Sequence, residues 1–164
     1  MAAGTDNAVL SLEKSTIATV VSPGDYFVYE MKIGCESLET ICIDAALHDA
    51  IPGDLRVASS NGDPAVRVVG ATQNADVTVG AYDATAGTAV DVAFNETSPR
   101  FPGIKGIEDG QKISVLVSVQ LLTSTPLSKP NFPSAKLGMI ARVRGSLRSQ
   151  LSKVCHSPSF AWNC

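Results

Sequence analysis

The feature that most constrains this chain is a step-two alternation of apolar and polar side chains. Across residues 111–122, Ile113, Val115, Val117, Val119 and Leu121 fall on one face, and Lys112, Ser114, Ser118 and Gln120 on the other, with Leu116 the exception. Successive side chains of an extended strand point to opposite sides, so such a segment buries one face and wets the other. On a helix the same residues would be spread around the whole circumference. Phe27, Tyr29, Met31 and Ile33 repeat the pattern after the turn Ser22-Pro23-Gly24-Asp25, and Ile41, Ile43, Ala45 and Leu47 repeat it again. Val77, Val79 and Ala81, then Val90, Val92 and Phe94, read as two short strands around a turn at residues 84–87. Leu10 and Leu12 open an edge strand that continues, bent, through residues 17–21, and residues 55–58 and 65–69 flank a turn at Asn61-Gly62-Asp63-Pro64. Seven or eight short strands punctuated by turns predict an all-β fold, a sandwich of two antiparallel sheets, over residues 1–125.

A chain of 164 residues suits one domain of ordinary size. Only 5% of its residues are aromatic, so Val, Ile and Ala must fill most of the core. The formal net charge of -3 argues against a nucleic-acid partner and gives no general pull toward an anionic membrane. That small net charge hides a division, because Lys129, Lys136, Arg142, Arg144, Arg148 and Lys153 all follow residue 125 and no acid does. Val, Ile and Thr also nearly vanish there, leaving Ile140, Val143 and Val154. Residues 126–164 therefore read as a separate basic, Pro-containing tail. It is expected to be mobile, foreign to the domain, or a short amphipathic helix with Ile140, Val143, Leu147, Leu151 and Val154 on one face. No apolar run is long enough to span a bilayer, and the first ten residues lack the basic start and apolar stretch of a signal peptide, so any export signal is expected outside this chain.

Three pieces of the sequence carry a resemblance. A Pro23-Gly24-Asp25 turn feeds an aromatic strand through Phe27 and Tyr29, a strand of Ile and Ala residues follows, and the block closes with Asp49-x-x-Pro52-x-x-Leu55. Together they resemble the immunoglobulin-like conserved repeat domain of bacterial surface proteins (domain of unknown function eleven), over roughly residues 8–122. Lys14 is similar to the lysine of the first strand in such repeats, and Cys35 and Cys42 resemble a variant found in actinobacterial surface proteins. These repeats come in tandem, whereas one copy is present here. Elementary stereochemistry agrees with the motif: proline fixes φ and glycine accepts positive φ, which suits both Pro23-Gly24 and Pro52-Gly53 to reversals. Asp49 is expected to accept backbone N–H bonds in the second turn.

Cys35 and Cys42 lie at the end of one expected strand and the start of the next. Hairpin geometry and the resemblance favour a disulfide between them, which would imply an oxidising compartment; two free thiols or half of a metal site are the alternatives. Lys14 raises the idea of an isopeptide bond to Asn95 assisted by Asp44, but the final strand holds no Asn, and a solvated edge lysine is the favoured reading. The turns Asn61-Gly62-Asp63 and Glu108-Asp109-Gly110 carry calcium-type oxygen ligands without the spacing of an EF-hand, so solvated turns are favoured. Asn95-Glu96-Thr97 fits the glycosylation acceptor pattern by a short match. His48, His156, Cys155 and Cys164 form no ligand-spaced zinc motif, and neither a nucleophile with its base nor a phosphate loop is visible.

The expectation is a non-catalytic spacer or adhesion module of a secreted or cell-surface bacterial protein, needing no cofactor. Its expected partners are neighbouring repeats, other surface proteins, or a host or cell-wall ligand. The alternative is a module that binds carbohydrate or calcium through its loops, and an enzyme is the third possibility.

Overall fold

A computed structural model describes residues 9–36, 41–60, 62–70, 74–100, 102–122, 127–128, 140–141 and 153–154. Within them there is no helix and every strand pairing is antiparallel. The strands are β1 (Val9–Thr16), β2 (Val20–Val21), β3 (Tyr26–Glu36), β4 (Ile41–Ile43), β5 (Ala46–Ile51), β6 (Leu55–Val57) and β7 (Val66–Val69). They continue with β8 (Ala75–Val79), β9 (Thr88–Phe94), β10 (Gly106–Glu108), β11 (Lys112–Leu121), β12 (Leu127–Ser128), β13 (Ile140–Ala141) and β14 (Lys153–Val154).

The alternating segments become the two longest strands. β3 buries Phe27, Tyr29, Met31 and Ile33, and β11 buries Ile113, Val115, Val117, Val119 and Leu121, paired so that Ile113 faces Ile33 and Val119 faces Phe27. β1 lies along the other side of β3, and β6 and β7 both pair with β11, giving a five-stranded sheet. β6 and β7 act as one edge strand interrupted by an excursion, whose ends clasp β11 where Ala58 N–H bonds the Ser118 carbonyl and Ser118 N–H bonds that of Ala65. The second sheet has the order β5-β9-β8, and a β4–β10 ribbon adjoins it in sequence. Leu47, Ile51, Val90, Val92 and Phe94 from this sheet share one buried cluster with the inner faces of β1, β3 and β11, so the molecule is the antiparallel sandwich expected, with eight strands in its two principal sheets.

The structure corrects four local expectations. The edge strand does not continue through residues 17–21: β1 ends at Thr16, Ile17 is exposed, and β2 pairs with β12 outside the large sheet. The alternation Ile41, Ile43, Ala45, Leu47 is not one strand: Asp44 takes φ 52°, and this left-handed residue splits it into β4 and β5. Val77 and Val79 do lie in a strand, but each is roughly two-fifths exposed instead of buried, on a strand at the edge of its sheet. In the tail, most of the expected helical face lies outside the described residues. The four residues described there are extended, with Ile140 paired to Val154 and Ala141 to Lys153. Leu127 and Ser128, just beyond the sandwich, pair with Val21 and Val20.

Candidate functional site

Step-two phase decides which residues of β1, β3 and β5 enter the interior, and it brings three polar groups there. Lys14 is in phase with Leu10 and Leu12, Tyr29 with Phe27 and Met31, and Asp49 with Leu47 and Ile51. Lys14 Nζ donates to both Asp49 carboxylate oxygens at 2.9 Å, and Tyr29 OH donates to Oδ2 at 2.6 Å. The ammonium also sits 4.5 Å from the centre of the Tyr29 ring, a cation–π arrangement. Asp49 is fully buried and the Lys14 side chain is 8% exposed, so this is an interior ion pair joining the first strand of one sheet to β5 of the other.

Burial pulls the Lys14 ammonium below the ordinary lysine range, opposed by the Asp49 charge and hydrogen bonds. Burial, reinforced by the Asp49 charge and the hydrogen bond to it, pushes the Tyr29 phenol far above its ordinary value. The cluster can therefore hold two layers together electrostatically while its tyrosine stays protonated. The solvated-lysine reading of Lys14 is overturned, and so is the turn-acceptor reading of Asp49, which takes its hydrogen bonds from side chains of the facing sheet. The isopeptide partners are elsewhere: Asn95 donates through Nδ2 to Asp76 at 2.5 Å, and Asp44 is exposed in the left-handed bend.

The first motif turn has its glycine at positive φ, whereas at the second Gly53 does not take positive φ and, among the described residues, Asp49 accepts no backbone N–H. Gly24 has φ 89°, Asp25 N–H bonds the Ser22 carbonyl, and Asp25 Oδ2 accepts from Ser22 N–H. Gly24 N–H bonds the Leu121 carbonyl at 2.8 Å, pinning the turn after Pro23 to the end of β11. At the second turn Leu55 N–H bonds the Pro52 carbonyl. Here close approach demands glycine, because a Cβ on Gly53 would lie 2.0 Å from the Ala84 carbonyl oxygen.

Cys35 and Cys42 form a disulfide with a Cα–Cα distance of 6.0 Å. It does not close a hydrogen-bonded hairpin as expected, because β3 pairs with β1 and β11 while β4 pairs with β10. The bridge instead ties the large sheet to the β4–β10 ribbon. His48 lies on the outer face of β5 with Nδ1 2.6 Å from Asp91 Oδ1 of β9. Of the calcium-type turns, Asn61 lies outside the described residues. Glu108 is engaged by Ser98 Oγ and, at 3.4 Å, by the Arg100 N–H. Among the described residues no group of three His, Cys, Asp or Glu side chains is placed to hold a metal ion. Cys155, His156 and Cys164 lie outside them.

No protein-family profile matches the chain, and neither does any curated protein. Among solved structures, one described as the unique CBM3 of Hungateiclostridium clariflavum is similar, with a TM-score of 0.46 and 11% sequence identity, covering 87% of this chain and 99% of that one.

Proposed function

We propose that this chain is a non-catalytic, load-bearing spacer or adhesion module of a secreted or cell-surface protein. The observation that carries the reading is the placement of its long strands. Both β1 and β11 run antiparallel to β3, one on each side, with Leu10 beside Cys35 and Leu121 bonded back to Asp25. The backbone thus enters β1 at one end of the sheet and leaves β11 at the other, about 33 Å away at the usual rise per strand residue. Tension along the chain shears the β1–β3 and β3–β11 ladders lengthwise, loading many hydrogen bonds together instead of unzipping them in turn. Lys14 lies within the loaded first strand, and its bond to Asp49 anchors that strand to the facing sheet.

The disulfide supports an oxidising, extracellular setting. The resemblance to the conserved repeat domain supports neighbouring modules or other surface proteins as partners. Single-molecule stretching of the chain between its two ends tests the reading. The expected result is one high-force rupture, lowered in Lys14→Met. Gradual unfolding at low force, or a rupture force that Lys14→Met leaves unchanged, would overturn it.

A further inference from the structure

Sheet edges expose unpaired backbone groups, and proteins commonly blunt them with inward-pointing charges or breaks. Among the described residues, three of the four edges of the two principal sheets follow that rule. β1 carries the inward Lys14, β5 carries the inward Asp49, and the β6/β7 edge is broken by its excursion over Ser118. The fourth does not. β8 reads Ala-Asp-Val-Thr-Val, and its one charge, Asp76, is bound by Asn95. Val77 and Val79 share the face of Val92 and Val90. They are 39% and 43% exposed, whereas those partners are buried.

The hydrogen-bond parity of β8 shows what this edge offers. Asn95 N–H bonds the Asn74 carbonyl at 2.6 Å and Gly80 N–H bonds the Ala89 carbonyl at 2.8 Å, so the even-numbered residues of this strand direct their backbone groups at β9. The N–H and C=O groups of Ala75, Val77 and Val79 therefore point to the free side, and among the described residues β8 pairs with β9 alone.

We propose that β8 pairs antiparallel with β8 of a second copy of this chain, about a two-fold axis at Val77. In that register Val77 faces Val77, Ala75 faces Val79, and each facing pair exchanges two hydrogen bonds. Asp76 then lies opposite Thr78. Moving the axis to Asp76 sets two carboxylates directly opposite each other, which is unfavourable, and moving it to Thr78 loses one of the three bonded pairs. The chosen register also covers the half-exposed valines with their own counterparts on the interior side, joining two three-stranded sheets into one. The interface is isologous, so it closes at two copies.

The test uses the full chain in analytical ultracentrifugation over a range of concentrations, with two variants. The parent should move from the mass of one chain toward that of two. Val77→Lys, which sets like charges face to face, should raise the dissociation constant at least about tenfold with an unchanged near-ultraviolet circular dichroism spectrum. Residues in a bonded antiparallel pair have Cα atoms about 5.5 Å apart, within disulfide reach. In a background with Cys155 and Cys164 changed to Ser, Val77→Cys should therefore oxidise to a covalent dimer, while Val28→Cys on the other sheet should not. A parent that keeps the mass of one chain throughout, a dimer indifferent to Val77→Lys, or equal cross-linking of the two cysteine variants would each overturn the proposal.

Discussion

Changing Lys14 to Met removes the cation while keeping a long unbranched apolar stem in its place. Asp49 is fully buried and takes two of its three side-chain hydrogen bonds from Lys14, so the substitution leaves a carboxylate in the interior with Tyr29 as its donor. Breaking a buried pair from one side costs about 3–5 kcal/mol, because the surviving charge can neither return to water nor find a counterion. At about 4 °C per kcal/mol for a domain of this size, the melting temperature should fall by about 12–20 °C. Removing both charges is a different perturbation: Lys14→Met with Asp49→Leu replaces the pair by apolar volume and should recover much of the loss, since the desolvation cost of both ions disappears. Tyr29→Phe deletes one hydrogen bond to a charged group and should cost about 1.5–3 kcal/mol. Urea unfolding of the parent, the three variants and the double-mutant cycle measures all of these. If Lys14→Met costs under about 1 kcal/mol, the range of exposed ion pairs, the reading of Lys14–Asp49 as an interior tie between the two sheets is wrong. It is equally wrong if the double variant is less stable than either single one.

The remaining predictions concern the disulfide, two glycines and Tyr29. Replacing Cys35 and Cys42 by Ala reopens a ring of eight residues and should cost about 2.5 kcal/mol by the loop-entropy relation, and intact-mass analysis should show both thiols alkylated only after reduction. Gly87→Ala should prevent folding or cost several times more than Gly110→Ala in thermal melts. Both positions have positive φ, but a Cβ on Gly87 would lie 1.8 Å from the Ile51 carbonyl oxygen, whereas Gly110 has open space. The Tyr29 phenol is held protonated in the fold, so the folded state binds more protons than the unfolded one once pH rises above the ordinary tyrosine value near 10. This contribution to stability is intact below that pH and erodes above it. In a chain with Tyr26 and Tyr82 changed to Phe, phenolate absorbance should appear only together with alkaline unfolding.

Much of the sandwich was legible because one physical rule, two-residue periodicity, governs β3, β9 and β11, and their inner faces are those the pattern names. The candidate site was in the same pattern but was hidden by residue type. Lys14 continues the Leu10, Leu12 phase, and Asp49 stands between Leu47 and Ile51, yet a charge at an inward position reads as an exception until its counterion is known. That counterion lies 35 residues away on the other sheet, and pairing over such a separation leaves no local trace. Asp44 was missed for a different reason: a single left-handed residue shifts the phase without altering the apolar count. Val77 and Val79 follow the rule for their strand but stay half-exposed at the edge of the second sheet, a position that only the assembled sheet defines.

The bridge between Cys35 and Cys42 also bears on how the protein ages among proteases. A single cut anywhere in the six residues between the two sulfurs severs the main chain but releases nothing, since both halves stay joined through the bond. Such a molecule would migrate intact on a denaturing gel and separate into two bands once a thiol is added, so damage at that spot is survivable and invisible until reduction.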